Sequence, residues 1–339
     1  MTDIATQSGT GPLRLGIAGC GRIVERGYLA AIGALPEVRI VAVADPDSER
    51  TGHVARTVGG AVFADAAELI AAGGLDAMLV AVPAQDHLAV AGLAAEAGLP
   101  CLVEKPPAPD LAGATALSAL DPTPSIGFNR RFLQGLELSP SIPAQGWLEL
   151  ELELRFRRAG WGAHLSQDEA LLDAGTHLID LAAFLAGAAP IAVRAASVEP
   201  ERAELELELG RGRARIRCAT DRPYAERVEV RDRSGRPIAG SRLGRISAAK
   251  GRLRGGGDPL VLSLRRQLQQ FAARVRGEQA EEIAGADAGV AAMSVVEAAR
   301  RSAQLGGAEV TVAIPTAVAD GPFCRHGDDI SAHRPEGTA

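Results

Sequence analysis

Aromatic side chains are scarce: Trp, Tyr and Phe make up 3% of the 339 residues, against a hydrophobic share of 47%. The core must therefore be built mainly from Ala, Leu, Val and Ile, which suits helices packed on a sheet. Lysine is almost missing. Of 36 basic residues only Lys105 and Lys250 are not Arg. The four cysteines, Cys20, Cys101, Cys218 and Cys324, lie far apart without CxxC spacing, which excludes a disulfide framework or zinc ribbon and fits reduced thiols. No apolar run of signal-peptide length opens the chain, and no later stretch is long and charge-free enough to span a bilayer. A soluble, cytoplasmic protein without a membrane partner is expected. A net charge of −6 provides no basic footprint for a nucleic-acid backbone, so no nucleic-acid partner is expected.

What is present divides in two. At 339 residues the chain exceeds the usual size of one hydrophobic core. From Leu13 to about Gly127, short apolar runs (Leu13 to Ala18, Val38 to Ala44, Ala77 to Val82, Cys101 to Val103, Ser125 to Gly127) alternate with helical patterns such as His87 to Ala97. That repeat predicts α/β architecture, a doubly wound parallel sheet with helices on both faces. The pattern then changes. Trp147 to Phe156 alternates Leu with charge at a period of two, the mark of a half-exposed strand. Glu204 to Leu209 repeats the alternation, and Arg211, Arg213, Arg215 and Arg217 follow a turn near Gly210 to Gly212. A hairpin there sets a glutamate row against an arginine row. Such a face is either solvated and ion-paired or a subunit contact.

Helices are expected at Glu169 to Leu185, Leu260 to Val275 and Ala286 to Leu305, and a Gly- and Arg-rich loop, holding Lys250, at Arg233 to Gly257. The expected division is a flexible N-terminus (1–12), a dinucleotide-binding domain (13–127), a substrate and dimerisation domain (128–314) and a disordered tail (315–339). Cys324, His326 and His333 lie in that tail with no rigid element to fix a metal geometry, so no metal site is expected.

Gly19-Cys20-Gly21-Arg22-Ile23-Val24 follows the first strand and opens the first helix. Glycine at 19 and 21 lets the chain turn tightly and brings a pyrophosphate against bare N–H groups at a helix N-terminus. The third fingerprint position is Val24, so the motif is imperfect. Asp45, at the end of the second strand, stands where an acidic group meets an adenosine ribose. There it would favour NAD over NADP; the alternative is an ordinary Asp-Pro turn.

Gly19 to Ile23, Glu104-Lys105-Pro106, Gly127-Phe128-Asn129-Arg130-Arg131-Phe132 and Leu172-Asp173-Ala174-Gly175-Thr176-His177, in that order, resemble the Gfo/Idh/MocA oxidoreductases. The resemblance runs from about Leu13 to Ile314. It implies a C-terminal α/β domain with an open, mainly antiparallel sheet whose face often mediates dimerisation, hence a homodimer or homotetramer. It also implies NAD(P)-dependent hydride transfer on a secondary alcohol or ketone of a sugar, inositol or related polyol. Alternatives on the same scaffold are NAD-assisted glycoside cleavage or epimerisation without net redox, and a non-catalytic dinucleotide- or sugar-sensing protein.

Lys105, at the carboxyl end of a parallel strand, can stabilise charge on a reacting oxygen, as the corresponding Lys does in the family. Asp173 and His177 are spaced i, i+4 on one helix face. His177 is the candidate base, and Asp173 orients the imidazole or binds a substrate hydroxyl. Pro83, His87 and Glu104 are expected near the cofactor; His87 resembles a family histidine there, although a helix N-terminal role is as plausible. Arg130 and Arg131 either hold a polar substrate or lie on the surface. Where family members often carry glycines, this chain has Gln167-Asp168-Glu169, which is expected to alter the pocket edge and help cap the helix.

Overall fold

The computed structural model describes residues 11–133, 136, 142, 146–161, 169–244, 257–280 and 283–315. Two seven-stranded sheets organise them. The first is built from β1 (Leu13–Ala18), β2 (Val38–Ala44), β3 (Ala61–Phe63), β4 (Ala77–Val80), β5 (Cys101–Val103) and β6 (Ser125–Ile126), in the order β6-β5-β4-β1-β2-β3. These strands pair in parallel. All but the exposed edge strand β3 are largely buried apolar runs, because helices cover both faces. Strand order reverses between β1 and β4, and the crevice outside their carboxyl ends is where such sheets bind ligands.

The second sheet runs β12-β11-β7-β10-β9-β8-β14 and is antiparallel except for β7 beside β10. Its long strands are β7 (Leu148–Arg157), β8 (Pro190–Glu199), β9 (Arg202–Leu209), β10 (Gly212–Ala219) and β11 (Asp221–Asp232), with β12 (Pro237–Gly244) and β14 (Val310–Thr311) at the edges. Period-two patterning buries Leu148, Leu150, Leu152 and Leu154 against the helix Thr176–Ala186, while the helix Ala286–Gln304 packs on β8. The charge ladder expected of the hairpin forms, with Arg213, Arg215 and Arg217 opposite Glu208, Glu206 and Glu204, and β7 adds an unforeseen second row, Glu149, Glu151 and Glu153, on the other side.

Three features depart from the sequence expectations. Pro237–Gly244, expected as loop, pairs with β11 around a turn held by the Asp232 carboxylate, which accepts from the Ser234 and Arg236 N–H groups. As an edge strand it has no fully buried residue, and only Ile238, Ala239 and Leu243 pack partly buried against the core, too little to mark it in the sequence. The three-residue β3 was too short to announce itself. The helix expected from Glu169 opens as a π-helical turn, Leu171–Gly175, before becoming α-helical over Thr176–Ala186. Lys250, the tail after Ile314 and its Cys324, His326 and His333 fall outside the described residues or at their margin.

Late segments of the chain return to the first sheet. Ala284–Gly285 (β13) pairs with β6, and Leu264, Leu268 and Phe271 of the helix Pro259–Val275 pack with Val24, Tyr28 and Ile32. Gly27 permits this approach, since a Cβ there would lie 2.4 Å from Leu264 Cδ1. Among the described residues, no helix is long and apolar enough to cross a membrane.

Candidate active site

A cleft of about 1990 Å³ runs along the carboxyl ends of β1, β2 and β4 and continues between the two sheets. That exceeds the 300–1,000 Å³ typical of a drug-sized ligand and leaves room for a dinucleotide beside a second small molecule.

At one end lies the glycine turn. Gly19 has φ +94°, donates its N–H to Ala44 O at 2.8 Å, and a Cβ on it would sit 2.4 Å from Ala81 O. Only glycine fits between β1 and β4 here. A Cβ on Gly21 would meet nothing within 4 Å, so this glycine opens onto free space at the cleft wall. This is a cradle suited to a pyrophosphate. The Cys20 side chain is fully buried, its thiol pushed up to about 12 by burial and then by Asp45. Cys20 contributes to the turn through its backbone, whose N–H donates to Asp45 Oδ2 at 2.8 Å. Asp45 Oδ1 accepts from the Asp47 N–H at 2.9 Å. Both readings of Asp45 therefore meet in one residue: it shapes the turn, and it lines the cleft with lone pairs to spare. Arg22, ion-paired with Glu25, and Ile23 line the same wall, while Val24 is buried with Leu264 and Phe271 of the helix Pro259–Val275.

Farther along, Pro83, His87 and Glu104 line the cleft. His87 is buried, with Nε2 2.9 Å from Val82 O and Nδ1 3.2 Å from Pro107 O. Both ring nitrogens face backbone carbonyls, of the loops after β4 and β5, and the single N–H of the neutral ring donates to one of them, so His87 has no nitrogen left for a ligand. Burial holds it below the usual histidine value. Glu104 is likewise occupied: Tyr28 donates to its Oε1 at 2.5 Å, the Lys105 N–H to its Oε2 at 3.1 Å, and Gln267 Nε2 to Tyr28 Oη at 3.0 Å. Burial raises the Glu104 carboxyl despite Tyr28, Lys105 and Arg130.

Lys105, Asp173 and His177 come together on one wall. Asp173, however, does not serve the imidazole. Its Oδ1 accepts from Lys105 Nζ at 2.8 Å, its backbone carbonyl from the same Nζ at 2.9 Å, and its Oδ2 from Arg158 Nη2 at 3.0 Å. The π-helical turn through Asp173 removes the simple i, i+4 face expected of the pair. Burial alone would raise the Asp173 carboxyl, but Lys105 and Arg158 outweigh it and hold it below the usual range.

His177 is 5% exposed, and its buried Nδ1 has no hydrogen-bond partner among the described residues. Phe128 meets the ring edge-on at 6.2 Å. Burial, then Lys105 and Arg130, hold the imidazole well below its ordinary pKa and hence neutral.

The two arginines separate. Arg130 lines the cleft and donates from Nε to Glu226 Oε1 at 2.9 Å and from Nη1 to Asn129 Oδ1 at 3.0 Å. Arg131 lies away from the cleft lining, clamped on Asp180 at 2.9 and 2.5 Å and 4.6 Å over the Phe184 ring. It fastens the segment 129–132 to the helix below, so neither the substrate nor the surface reading fits it. Glu169 turns to Arg300 at 2.5 Å, away from the cleft; Gln167 and Asp168 fall outside the described residues. Sequence reasoning missed Arg158, Glu226, Tyr224 and Tyr28. For Glu226 a signal existed, because alternation places it on the same strand face as Val228 and Val230.

Residues 13–122 match the model of an oxidoreductase family with an NAD-binding Rossmann fold. An inositol 2-dehydrogenase of Corynebacterium glutamicum is 32% identical over 193 residues, 53% of this chain and 56% of that protein. A D-apiose dehydrogenase of Paraburkholderia graminis is 29% identical over 186 residues, 50% of this chain and 49% of that protein. The chain thus spans about half the length of these curated relatives. Among solved structures, a myo-inositol dehydrogenase from Lactobacillus casei, in complex with NAD(H) and myo-inositol, superposes with TM-score 0.72 at 17% identity, covering 93% of this chain and 100% of that one. The myo-inositol 2-dehydrogenase of Lactobacillus plantarum gives TM-score 0.73 at 18% identity, covering 89% and 100%. At these identities the structural likeness establishes the fold.

Proposed function

We propose, from the match of residues 13–122 to the Gfo/Idh/MocA oxidoreductase family with its NAD-binding Rossmann fold, that the chain is an NAD-dependent dehydrogenase of a secondary alcohol on a sugar, inositol or related polyol. The observation that carries the reading is the Lys105 ammonium, pinned by Asp173 beside His177 in the cleft that also holds the Gly19 turn.

The backbone around Gly19 and Gly21, with Arg22 and Ile23, would hold the pyrophosphate, Asp45 would accept from the ribose hydroxyls, and Pro83 and Glu104 would stand toward the nicotinamide end. Bound NAD supplies the hydride acceptor. Two Lys105 N–H groups are taken by Asp173, and the third donates to the reacting oxygen, stabilising charge as the C–H bond breaks. His177 is neutral, and with Nδ1 buried it receives the hydroxyl proton at Nε2. The imidazolium so formed is disfavoured beside Lys105 and Arg130, so the proton passes on to solvent through the cleft.

The compartment is the cytoplasm, a reading supported by Cys20, Cys101 and Cys218 as free, buried thiols. The chain works as a homo-oligomer through the open face of the second sheet, a reading supported by the Glu and Arg rows there.

The test is a panel of polyols and sugars monitored by NADH absorbance. NADH formation in proportion to substrate, abolished in Lys105→Ala, supports a net dehydrogenase. Product formation without NADH accumulation, or NAD binding without any turnover, would replace it.

A further inference from the structure

Tyr28 and Gln267 are fully buried, and Glu104 is buried beside them. Tyr28 belongs to an otherwise apolar cluster with Val24, Ile32, Leu264 and Leu268. Polar groups in such surroundings are costly unless bonded, and where only packing is required apolar side chains serve as well. These three form a chain. Tyr28 donates to Glu104 Oε1 at 2.5 Å, and Gln267 Nε2 donates to Tyr28 Oη at 3.0 Å.

The direction of that chain is set from the Glu104 end. An ionised carboxylate only accepts, so the Tyr28 proton goes to Glu104 and the Tyr28 oxygen is left to accept from Gln267. The cost shows at the far end, where Gln267 Oε1 is buried with no hydrogen-bond partner among the described residues. Only Glu104 reaches the cleft; neither Tyr28 nor Gln267 lines it. There Glu104 Oε2 accepts from the Lys105 N–H at 3.1 Å. The carboxylate is confined from behind, since a Cβ on Gly127 would lie 3.2 Å from its Cδ and Oε1.

Lys105 and Arg130 are the cations whose fields act on Glu104. With Oε1 unfilled, the strongest partner at hand is the ammonium of the next residue, and an ammonium drawn to Glu104 is lost to Asp173. Tyr28 fills Oε1 with a neutral hydroxyl. A cation in its place would hold the carboxylate as well but would add positive charge beside Lys105.

We propose that Tyr28 and Gln267 are positioning residues of the site, which hold Glu104 on a neutral hydroxyl so that its carboxylate steadies the Lys105 backbone without capturing the Lys105 ammonium. The inference rests on the dehydrogenase reading for its effect on rate, and on geometry alone for the state of Lys105.

The experiment compares the full chain as wild type, as Tyr28→Phe, as the double variant Tyr28→Phe with Glu104→Gln, and as Gln267→Leu. One readout is kcat and KM with NAD for myo-inositol, scyllo-inositol and D-apiose. The other is the NMR spectrum of protein labelled with carbon-13 at lysine Cε. Because the chain has only Lys105 and Lys250, that spectrum is simple, and Lys105→Arg assigns it. Melting temperatures are recorded for each protein.

Tyr28→Phe should lower kcat by about tenfold or more, leave KM within about threefold, and move the Lys105 signal. Adding Glu104→Gln keeps an acceptor for the Lys105 N–H but removes the charge, so it should return the signal and recover part of kcat. In Gln267→Leu, Tyr28 loses the donor that orients its hydroxyl, and kcat should fall by about threefold with a smaller move of the signal. Its melting temperature should hold or rise, because the unpaired oxygen is gone.

Rates that fall in step with melting temperature, with the double variant no better than Tyr28→Phe, would reduce the chain to a brace and overturn the inference. An unmoved Lys105 signal in Tyr28→Phe would show that Glu104 stays in place or takes up a proton, and would overturn it too. Should Tyr28→Phe not fold, Gln267→Leu decides: a moved signal at an unchanged melting temperature sustains the inference, and an unmoved one overturns it. If wild type forms NADH with none of the three compounds, that failure belongs to the redox reading. The lysine spectra then decide alone: a Lys105 signal that moves in Tyr28→Phe and returns in the double variant sustains the inference, and any other pattern overturns it.

Discussion

Lys105 Nζ lies 2.8 Å from Asp173 Oδ1 and 2.9 Å from the backbone carbonyl of the same residue, so Asp173 holds two of the three ammonium protons. This joins the loop after β5 to the π-helical turn of the second half of the chain. It also explains why a chain that otherwise uses Arg keeps Lys here. A planar guanidinium cannot set one nitrogen on two acceptors and aim a third proton elsewhere.

Substitution of Lys105 should therefore be intolerant of charge-conserving replacement. Lys105→Ala, Lys105→Arg and His177→Ala are each expected to lower kcat by about two or more orders of magnitude. NAD affinity should change by less than about threefold, since none of these side chains lies at the Gly19 turn. Single-turnover rates and calorimetry on folded variants check this, and a near wild-type rate for Lys105→Arg would remove the argument from proton geometry.

Asp45 should set the cofactor preference. Its carboxylate lines the cleft with spare lone pairs, and a 2′-phosphate would meet like charge there. Asp45→Asn keeps an acceptor for the Cys20 N–H yet removes the charge, so NADP affinity should rise by about tenfold or more relative to NAD. Titration with both cofactors measures the ratio; an unchanged ratio would return Asp45 to its role in the turn alone.

The buried histidines predict acid sensitivity. Burial holds His177 and His87 below their ordinary pKa, so the unfolded chain binds protons that the folded chain refuses. Their contribution to stability is complete above about pH 6.5 and is lost as pH falls towards the folded values, at about 1.4 kcal/mol per pH unit for each ring. Glu104 and Asp180, raised by burial, act in the opposite direction as pH falls. Comparison with His177→Gln cancels those shared terms. Between pH 6 and 5 wild type should lose about 1.4 kcal/mol more than the variant in urea unfolding, and parallel slopes would contradict the buried, neutral ring.

The parts of the fold visible in the sequence were those with a strict local period. Leu148 to Leu154 and the Glu204 to Arg217 hairpin alternate at two because one face is core and one is not, and the hairpin formed as read. β12 was invisible because this edge strand has no fully buried residue and no apolar alternation, its few partly buried side chains being Ile238, Ala239 and Leu243. The return of the helix Pro259–Val275 onto the first half is a tertiary event. Its one local trace is Gly27, a glycine inside a helical pattern whose missing Cβ makes room for Leu264.

In the site, what was legible is that Gly19, Asp45, Lys105 and His177 line one cleft, because these residue types stand at strand and helix ends. The partner of Asp173 was not. Spacing along a helix pointed to His177, whereas the π-helical turn delivers the carboxylate to Lys105 and Arg158, from two other elements. Arg131 shows the same limit. It neighbours a cleft residue in sequence, yet its side chain serves the helix carrying Asp180.

Arg158 supplies the last prediction. It follows the final residue of β7 and donates from Nε at 3.2 Å and from Nη2 at 3.0 Å to Asp173 Oδ2, the oxygen Lys105 leaves free. Two cations thus overcome the effect of burial on Asp173. If the Asp173 carboxylate must be ionised to hold Lys105, activity should fall as pH drops through the Asp173 pKa. Removing Arg158 takes away one of the two opposing cations, so that acidic limb should move to higher pH in Arg158→Gln. A loss of kcat by about tenfold is expected on the scale of one charge-assisted hydrogen bond. NAD affinity should hold. Arg158→Lys should restore part of the shift, and added guanidinium should raise the rate of Arg158→Ala in a saturable way. The pH–rate profiles of the four proteins decide it. An acidic limb at the same pH in wild type and Arg158→Gln would show that Lys105 alone keeps Asp173 ionised, and that Arg158 merely braces the end of the strand.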